Sequence, residues 1–170
     1  LTDLGVLDRT EDSRFRLGAK LYRLGKASDG NARLVTVVHP YLESINRKTK
    51  LSAFLGIRSG PRAVIIDKVD TAYDIRIHSE IGMQIPLLAG AGGRALLSQL
   101  PDHEVDQILG ENTLKRFTPK SCISKKVYKE MVQMTRAEGI AFDDEEYIEG
   151  IRALSVPLPT EQEDLQAAIW

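Results

Sequence analysis

The sequence predicts an α+β fold in which helices are inserted between the strands of a mainly antiparallel sheet. Apolar runs of strand length recur along the chain, and a short turn at Arg58–Pro61 joins two of them, residues 51–57 and 63–69. Other segments, such as residues 124–138, repeat their apolar residues at helical spacing. The 170 residues, of which 42% are hydrophobic, suffice for one domain and part of a second.

The composition excludes several classes of protein. No apolar run approaches the roughly 20 residues that span a bilayer, and the chain does not open with a basic, signal-like segment. The single cysteine, Cys122, excludes an intrachain disulfide and fits a reducing cytoplasm. One cysteine and three scattered histidines predict no metal site and no cofactor. We therefore expect a cytoplasmic protein that does not contact a membrane.

The first 17 residues predict the end of a DNA-binding module. Residues 1–7 are typical of the close of a helix, with Gly5 as its C-cap. After a polar turn, Arg14 and Arg16 alternate with apolar residues, which predicts a short strand. A winged helix-turn-helix ends in this order, and its wing would hold both arginines near DNA phosphates. Many other hairpins share the pattern.

Residues 18–33 are predicted to link this module to a second domain, residues 34–170. The linker contains a short predicted helix at residues 19–25 and a break at residues 28–31. A longer helix, interrupted or begun by Pro40, is predicted over about residues 32–48. Its apolar face comprises Leu34, Val38, Tyr41, Leu42 and Ile45. After the two strands joined by Arg58–Pro61, a third is predicted at residues 74–78.

The predicted domain is organised around the stretch from Ile85 to Leu97, which contains Gly90, Gly92 and Gly93. It predicts a loop that turns into a helix over about residues 92–100. The first N–H groups of a helix have no intrahelical partner and carry positive partial charge, so such a turn can hold a small anion. A glycine-rich turn packed tightly against a sheet would have the same sequence pattern.

Two further helices are predicted beyond this stretch. The first covers residues 101–109 and ends at Gly110. The second begins after Ser124 as N-cap and ends before Gly139 as C-cap. Its predicted buried face comprises Val127, Met131 and Met134.

Strands complete the predicted domain at residues 140–142, 151–157 and 165–170. The acidic run at residues 143–146 is either an exposed turn or the polar end of a site. The chain opens without methionine and stops inside a predicted strand, so we expect it to be a piece of a longer protein.

Several motifs occur together in this order, and they span the chain. They are Phe-Arg-Leu-Gly at residues 15–18, Pro-Leu-Leu-Ala-Gly-Ala-Gly-Gly-Arg-Ala-Leu-Leu at 86–97, Phe-Thr-Pro at 117–119, Gly-Ile-Ala-Phe-Asp-Asp-Glu-Glu at 139–146 and Gly-Ile-Arg-Ala-Leu-Ser-Val-Pro at 150–157. In register, they resemble the IclR-type (isocitrate-lyase-regulator) family of bacterial transcription factors.

The resemblance implies a winged helix-turn-helix, of which residues 1–17 are a remnant, and an effector-binding domain with a GAF-like fold, truncated at its C-terminus. It implies a regulator that binds a small organic or aromatic acid and assembles as a dimer or tetramer. Operator DNA would be bound only by the full-length protein. The sequence does not identify the effector or the operator. It also does not determine whether the protein represses or activates, or whether it forms a dimer or a tetramer.

The resemblance also implies which residues contact the effector. Backbone amides at the start of the glycine-rich helix would face its carboxylate, and Asp143 would face its polar end. Because a charged Asp143 would repel a carboxylate, it suits a hydroxyl or must be protonated. Ala153 and Trp170 stand where some relatives carry Cys and Ser, which favours a larger or more apolar effector unless Trp170 fills the pocket. The full predicted set is Ile85, Leu87, Gly90, Ala91, Gly92, Asp143, Ile151, Ala153 and Trp170.

Two other functions are weighed against this one. An enzyme would need a nucleophile, with Cys122 or Ser98 as candidates, and a base, with His78 or His103 as candidates. The sequence does not group these with an orienting carboxylate, and it has no Gly-x-Ser-x-Gly motif. A GAF-type signalling module of a larger receptor is the other alternative, and the wing-like start of the chain disfavours it.

Overall fold

A six-stranded antiparallel sheet organises residues 39–170 in the computed structural model of this chain, which describes residues 1–27, 29–73, 79–160, 162 and 164–170. The predicted α+β class is confirmed. The strands are β1 (Leu7–Arg9), β2 (Phe15–Leu17), β3 (Ala53–Ser59), β4 (Arg62–Val69), β5 (Gln84–Pro86), β6 (Ala141–Asp144), β7 (Arg152–Leu158) and β8 (Ala167–Ile169). The helices are α1 (Ala19–Ala27), α2 (Asp29–Thr49), α3 (Gly90–Leu97), α4 (Asp102–Glu111) and α5 (Lys125–Glu138).

The large sheet has the strand order β5-β4-β3-β8-β7-β6. Three strands come from before the helices α3 to α5 and three from after them, and β8 joins the halves by pairing with both β3 and β7. The predicted hairpin of β3 and β4 is confirmed, and its register shifts at Leu55/Gly56. The predicted strand at residues 74–78 lies outside the described residues.

Residues 1–38 form a separate compact unit. The predicted helix end is seen only as a turn at residues 2–5: Gly5 has φ +65°, its N–H donates to the Thr2 carbonyl, and the Val6 N–H donates to the Leu1 carbonyl. This pair of hydrogen bonds is the usual close of a helix on a glycine. β1 and β2 then form the predicted antiparallel hairpin, and α1 follows. The assignment of residues 1–17 to a winged helix-turn-helix stays a prediction.

Helix α2 is longer than predicted and differs from the expected pattern in two respects. It begins at Asp29, so residues 29–31 are helical and not a break, and it passes through the predicted boundary at residues 33/34. Val38 and Leu42 are buried, but Tyr41 is 65% exposed. Tyr41 lies at the edge of the buried face because that face is centred between Val38 and Leu42. The predicted apolar face is therefore buried only in part, since Ile45 is also 36% exposed.

The ends of helix α5 follow the predicted caps. Ser124 accepts a hydrogen bond from the Val127 N–H, and Gly139 takes φ +73°, where a side chain would be strained. Helix α4 runs through Gly110 to Glu111, one residue past the predicted end. None of the helices in the described part of the chain combines the length and apolar character needed to cross a membrane.

The predicted buried face of α5 was wrong by one residue. Met134 is 57% exposed and Val127 is 45% exposed, whereas Tyr128, Val132 and Thr135 are buried. Residues 128, 132 and 135 also follow helical spacing, so the sequence contains two candidate faces that differ by about 100° of rotation. The core that selects the second face comprises Ala63, Leu87, Ala95, Leu96, Leu97, Leu100, Val105, Leu109, Leu114, Tyr128, Val132 and Ala168.

Two valine substitutions on α5 check which face supports the fold. Val132→Ala should lower the free energy of unfolding by about 1–3 kcal/mol, because it removes two buried methyl groups from a packed core. Val127→Ala, the matched control, should change it by less than about 0.5 kcal/mol. Urea unfolding of both variants measures the difference. Equal losses of stability would contradict the burial of the Val132 face.

Candidate functional site

Helix α3 starts at Gly90, two residues before the predicted start at about Gly92. Its N-cap residue, Ala89, has extended backbone (φ −111°, ψ 128°) and offers no side-chain cap. The side chains of this turn therefore leave the first N–H groups of the helix uncapped, at the positive end of its dipole. Gly90 itself has φ +64°, which favours glycine.

Asp143 lies against this first turn. An ideal Cβ placed on Gly90 would be 2.4 Å from Asp143 Oδ2, so Gly90 is required for the approach. Asp143 is on β6 opposite Ala153 of β7, and only 8% of it is exposed. Its Oδ1 accepts a hydrogen bond of 2.7 Å from the Glu146 N–H. The alternative of an exposed acidic turn was therefore wrong for Asp143.

The surroundings raise the pKa of the Asp143 carboxyl above its ordinary value. Burial is the largest cause because it penalises the charged form, and the nearby Glu146 carboxylate adds to it. The N–H groups of Glu146 and Tyr147 and the Arg94 guanidinium act in the opposite direction. Burial prevails over these interactions, so protonating Asp143 is easier here than in water.

A buried ion pair holds the segment that carries Asp143. The Arg94 side chain on α3 is 1% exposed, and its two terminal nitrogens donate to both oxygens of Glu146 at 2.7 and 2.9 Å. The same guanidinium donates to the Phe142 carbonyl, one residue before Asp143. Arg94 thereby ties α3 to β6 and to the turn after it in the geometry typical of strong arginine–carboxylate pairs.

The loop at residues 117–121 supports the same turn. The Ser121 hydroxyl donates to the Glu146 carbonyl at 2.7 Å, and the Thr118 hydroxyl donates to the Glu145 carbonyl at 2.7 Å. The rings of Phe117 and Tyr147 meet edge to face with centroids 5.0 Å apart. Sequence analysis missed these supporting residues and Arg94. One signal was present: an arginine within the apolar run of α3 needs a buried acidic partner.

Trp170 occupies the other side of the α3 turn. An ideal Cβ on Gly56 of β3 would lie 1.9 Å from the indole Cη2, and one on Gly92 would lie 3.2 Å from its Cε3. The Trp170 backbone pairs with Phe54 through two hydrogen bonds of 2.8 and 3.0 Å. The structure therefore brings Gly90, Gly92, Asp143 and Trp170 together around one helix start.

The other predicted residues of the set lie in three settings. Leu87 is buried in the core, and Ile85 on β5 packs against that core. Ala91 is buried within α3. Ala153 is partly buried beside Asp143, whereas Ile151 lies in the loop before β7, where its carbonyl accepts from the Glu145 N–H at 3.1 Å.

Behind α3 lies a hydroxyl without a partner among the described residues. Tyr128 is 1% exposed and its hydroxyl makes no hydrogen bond. Burial raises the pKa of this phenol well above its ordinary value. An ideal Cβ on Gly93 would be 3.4 Å from the hydroxyl and 1.7 Å from the Leu87 carbonyl oxygen, so α3 packs tightly here. The tight-packing interpretation of the glycines is therefore confirmed at Gly93, and the anion site at the helix start stays a prediction.

The residues considered for catalysis make ordinary structural contacts. The Ser98 hydroxyl donates to the Ala95 carbonyl at 2.8 Å, and Cys122 Sγ lies 3.5 Å from the Ser124 carbonyl oxygen. His103 is exposed on α4, and His78 lies outside the described residues. Within the described ranges, no cluster of histidine, cysteine and acidic residues could hold a metal ion.

Two further features lie apart from this helix start. On the β1–β2 hairpin, Arg14 and Arg16 have 84% and 71% exposed side chains and lie 3.2 and 3.4 Å from aspartates. A cleft of about 500 Å³ opens between the β3–β4 turn and α4. Its lining contains none of the predicted site residues and comprises Arg58, Gly60, Pro61, Glu104, Gln107, Ile108, Glu111 and Asn112.

Comparison with known proteins points to one family. Residues 28–170 match the family model described as bacterial transcriptional regulator IclR C-terminal. The chain is 31% identical over 153 residues to the HTH-type transcriptional regulator KdgR of Escherichia coli (strain K12), covering 90% of this chain and 58% of that protein. The chain spans 58–66% of the length of the first curated relatives it matches, all named as transcriptional regulators or repressors.

Solved structures show the same fold. The IclR of Thermotoga maritima is 29% identical, with a TM-score of 0.78 over 99% of this chain and 67% of that chain. An IclR homolog from Microbacterium hydrocarbonoxydans, solved in complex with 4-hydroxybenzoate, has a TM-score of 0.84 at 20% identity over 99% of this chain and 69% of that chain. The GAF-like effector-domain fold expected from the sequence is confirmed.

Breaking the buried ion pair should destabilise the domain strongly. Arg94→Met should lower the free energy of unfolding by about 3–5 kcal/mol, because Glu146 is left partly buried and unpaired. Adding Glu146→Gln should recover part of that loss, which urea unfolding of both variants measures. The control is Arg152→Met, which breaks an exposed pair with Asp144 and should lower the free energy of unfolding far less. Equal costs for Arg94→Met and Arg152→Met would contradict the role given to Arg94.

The raised pKa of Asp143 predicts a specific pH dependence. Because the folded-state pKa lies above the unfolded value of about 4, the unfolded chain releases this proton first, and stability falls as pH rises between the two values. Asp143→Asn lacks this titration. Wild type should therefore lose stability relative to Asp143→Asn as pH rises from below about 4 to 7. Urea unfolding at each pH measures the difference, and a difference that grows in favour of wild type would contradict the assignment.

Proposed function

The chain belongs to the IclR family of bacterial transcriptional regulators, and on that premise we propose that it is the ligand-sensing and self-associating part of one. It binds a small organic or aromatic acid. Through an N-terminal winged helix-turn-helix, the full-length cytoplasmic protein binds operator DNA, and the acid changes that binding. Coupling of this kind requires the acid to bind the protein's two arrangements with different affinity.

The observation that carries the proposal is the start of α3. Its backbone N–H groups lack a side-chain cap, and they lie between the buried Asp143 carboxyl and the Trp170 indole. Uncapped N–H groups at a helix start attract a carboxylate, while an indole offers an apolar surface. The combination suits a ligand with an anionic end and an apolar body.

Asp143 restricts which acids could bind at this helix start, because its carboxyl lies against the same turn. A charged carboxylate would repel a bound acid over a few ångströms. Its raised pKa makes the neutral form more accessible, and as a carboxylate it would accept a hydrogen bond from a ligand hydroxyl. We therefore favour acids that carry a hydroxyl group. The 4-hydroxybenzoate complex of the Microbacterium hydrocarbonoxydans protein supplies a suitable probe of that chemistry.

Two surfaces support the remaining parts of the proposal. The exposed arginines of the β1–β2 hairpin are available for DNA phosphates in the full-length protein. On α2, Tyr41 and Ile45 are 65% and 36% exposed and lie one helical turn apart. An exposed apolar stripe of this kind suits self-association into the dimer or tetramer expected of the family.

A thermal unfolding screen tests acid binding directly. At about 100 times its Kd, 4-hydroxybenzoate should add roughly 2.7 kcal/mol of stability, which corresponds to a rise in Tm of about 5–10 °C for a chain of this size. The control ligand is 4-hydroxybenzamide, which keeps the ring and hydroxyl but has no carboxylate, and it should give a much smaller rise. Asp143→Ala should reduce the response to 4-hydroxybenzoate.

The screen should include benzoate and glyoxylate as acids of the same charge without the phenolic hydroxyl. If no acid raises Tm in the wild-type chain, acid sensing at this site is wrong. A rise that is identical in Asp143→Ala would place the acid elsewhere in the domain.

A further inference from the structure

The position of the Trp170 side chain has a consequence for how the proposed acid site opens. The six-membered ring of the indole lies over two glycines on facing elements. Ideal Cβ atoms on Gly56 would be 1.9, 2.4 and 3.0 Å from Cη2, Cζ3 and Cζ2, and on Gly92 they would be 3.2 and 3.3 Å from Cε3 and Cδ2. The ring thus fills the space between strand β3 and the first turn of α3. A side chain on Gly56 could not share this space, and one on Gly92 would be crowded.

This space is the one beside the uncapped helix start. Gly92 is the third residue of α3, and Gly90, two residues earlier, contacts Asp143. A carboxylate held by these N–H groups would bring its attached body into the volume next to Gly92. The indole already occupies that volume.

The main chain and the side chain of Trp170 are held by different contacts. Two hydrogen bonds to Phe54 hold the main chain in the sheet. The side chain packs against the hydrophobic core beside Gly56 and Gly92 and makes none of these main-chain hydrogen bonds. Rotation about the side-chain torsions would therefore move the ring without breaking the strand pairing.

We propose that Trp170 is a gate of the acid site: its indole fills the ligand volume in the unliganded protein and rotates outward when an acid binds. The inference rests on the proposed function for its ligand. It also defines the ligand class, since the space between Gly56 and Gly92 holds one flat six-membered ring. Single-ring aromatic acids fit it, and the open state must be populated before they bind.

With such a gate, the affinity for the acid depends on the fraction of the protein in which the indole closes the site. If the open state is about a tenth of the protein, the apparent Kd is about ten times the Kd of the open site. Removing the indole should therefore tighten binding. If the indole instead stacked against the bound ligand, its removal would weaken binding, because contacts with the ligand would be lost.

The first experiment needs no ligand, because Trp170 is the only tryptophan in the chain and its fluorescence reports on this position alone. Gly56→Ala places a methyl group where the ring lies and should expel the indole. Its emission should shift to longer wavelength, and quenching by acrylamide should increase. Gly110→Ala is the matched control, because nothing lies within 4 Å of its added methyl group. It should leave emission unchanged, and far-UV circular dichroism checks that both variants fold.

The second experiment measures the Kd of 4-hydroxybenzoate and benzoate by calorimetry for wild type, Trp170→Phe and Trp170→Ala. Trp170→Ala should bind about tenfold more tightly than wild type, with Trp170→Phe between them. In wild type, 4-hydroxybenzoate should also shift Trp170 emission toward that of Gly56→Ala.

The outcomes separate the gate from the function. Unchanged emission in a folded Gly56→Ala, or weaker binding by Trp170→Ala, overturns the gate while leaving acid sensing intact. If none of the three chains binds either acid, the proposed function fails, and the emission of Gly56→Ala alone decides whether the indole fills this space.

Discussion

The Arg94–Glu146 ion pair is the interaction on which the candidate site depends. A guanidinium that is 1% exposed is costly to bury, so it requires both oxygens of Glu146 and the Phe142 carbonyl as partners. Those partners lie on either side of Asp143 in the sequence. Satisfying the arginine therefore sets the position of Asp143 against α3. The alternation of side chains along β6 places Asp143 on the same buried face as Ala141, and the ion pair holds that face against α3.

The start of α3 is crowded because its residues are small. Asp143 and the Leu87 carbonyl approach Gly90 and Gly93 more closely than a methyl group would allow, and Trp170 lies so near Gly92 that a methyl group there would be crowded. Close approach brings a carboxyl group and an indole to the positive end of a helix dipole. The glycines thus allow tight packing around this helix start, whereas an anion site there stays a prediction.

Local sequence patterns predicted where helix α5 begins and ends better than they predicted which of its faces is buried. Ser124 and Gly139 cap α5 as expected, since a cap depends on residues within one turn. The buried side of α5 was predicted wrongly because residues 127, 131 and 134 and residues 128, 132 and 135 both follow helical spacing. Arg94 and Thr118 were missed because their partners lie 52 and 27 residues away along the chain. Hydropathy alone does not reveal such pairs.

The sequence by itself determined the α+β class, the order of the described elements, the family and the glycine-rich start of α3, because these depend on local propensity and on motifs in register. The tertiary structure alone decided which face of α5 is buried, that Asp143 points inward, and that the Trp170 indole lies over Gly56 and Gly92. Each of these depends on which surface meets which after the sheet closes through β8. Whether a side chain is buried depends on how the sheet closes, and the neighbouring residues in the sequence do not determine it.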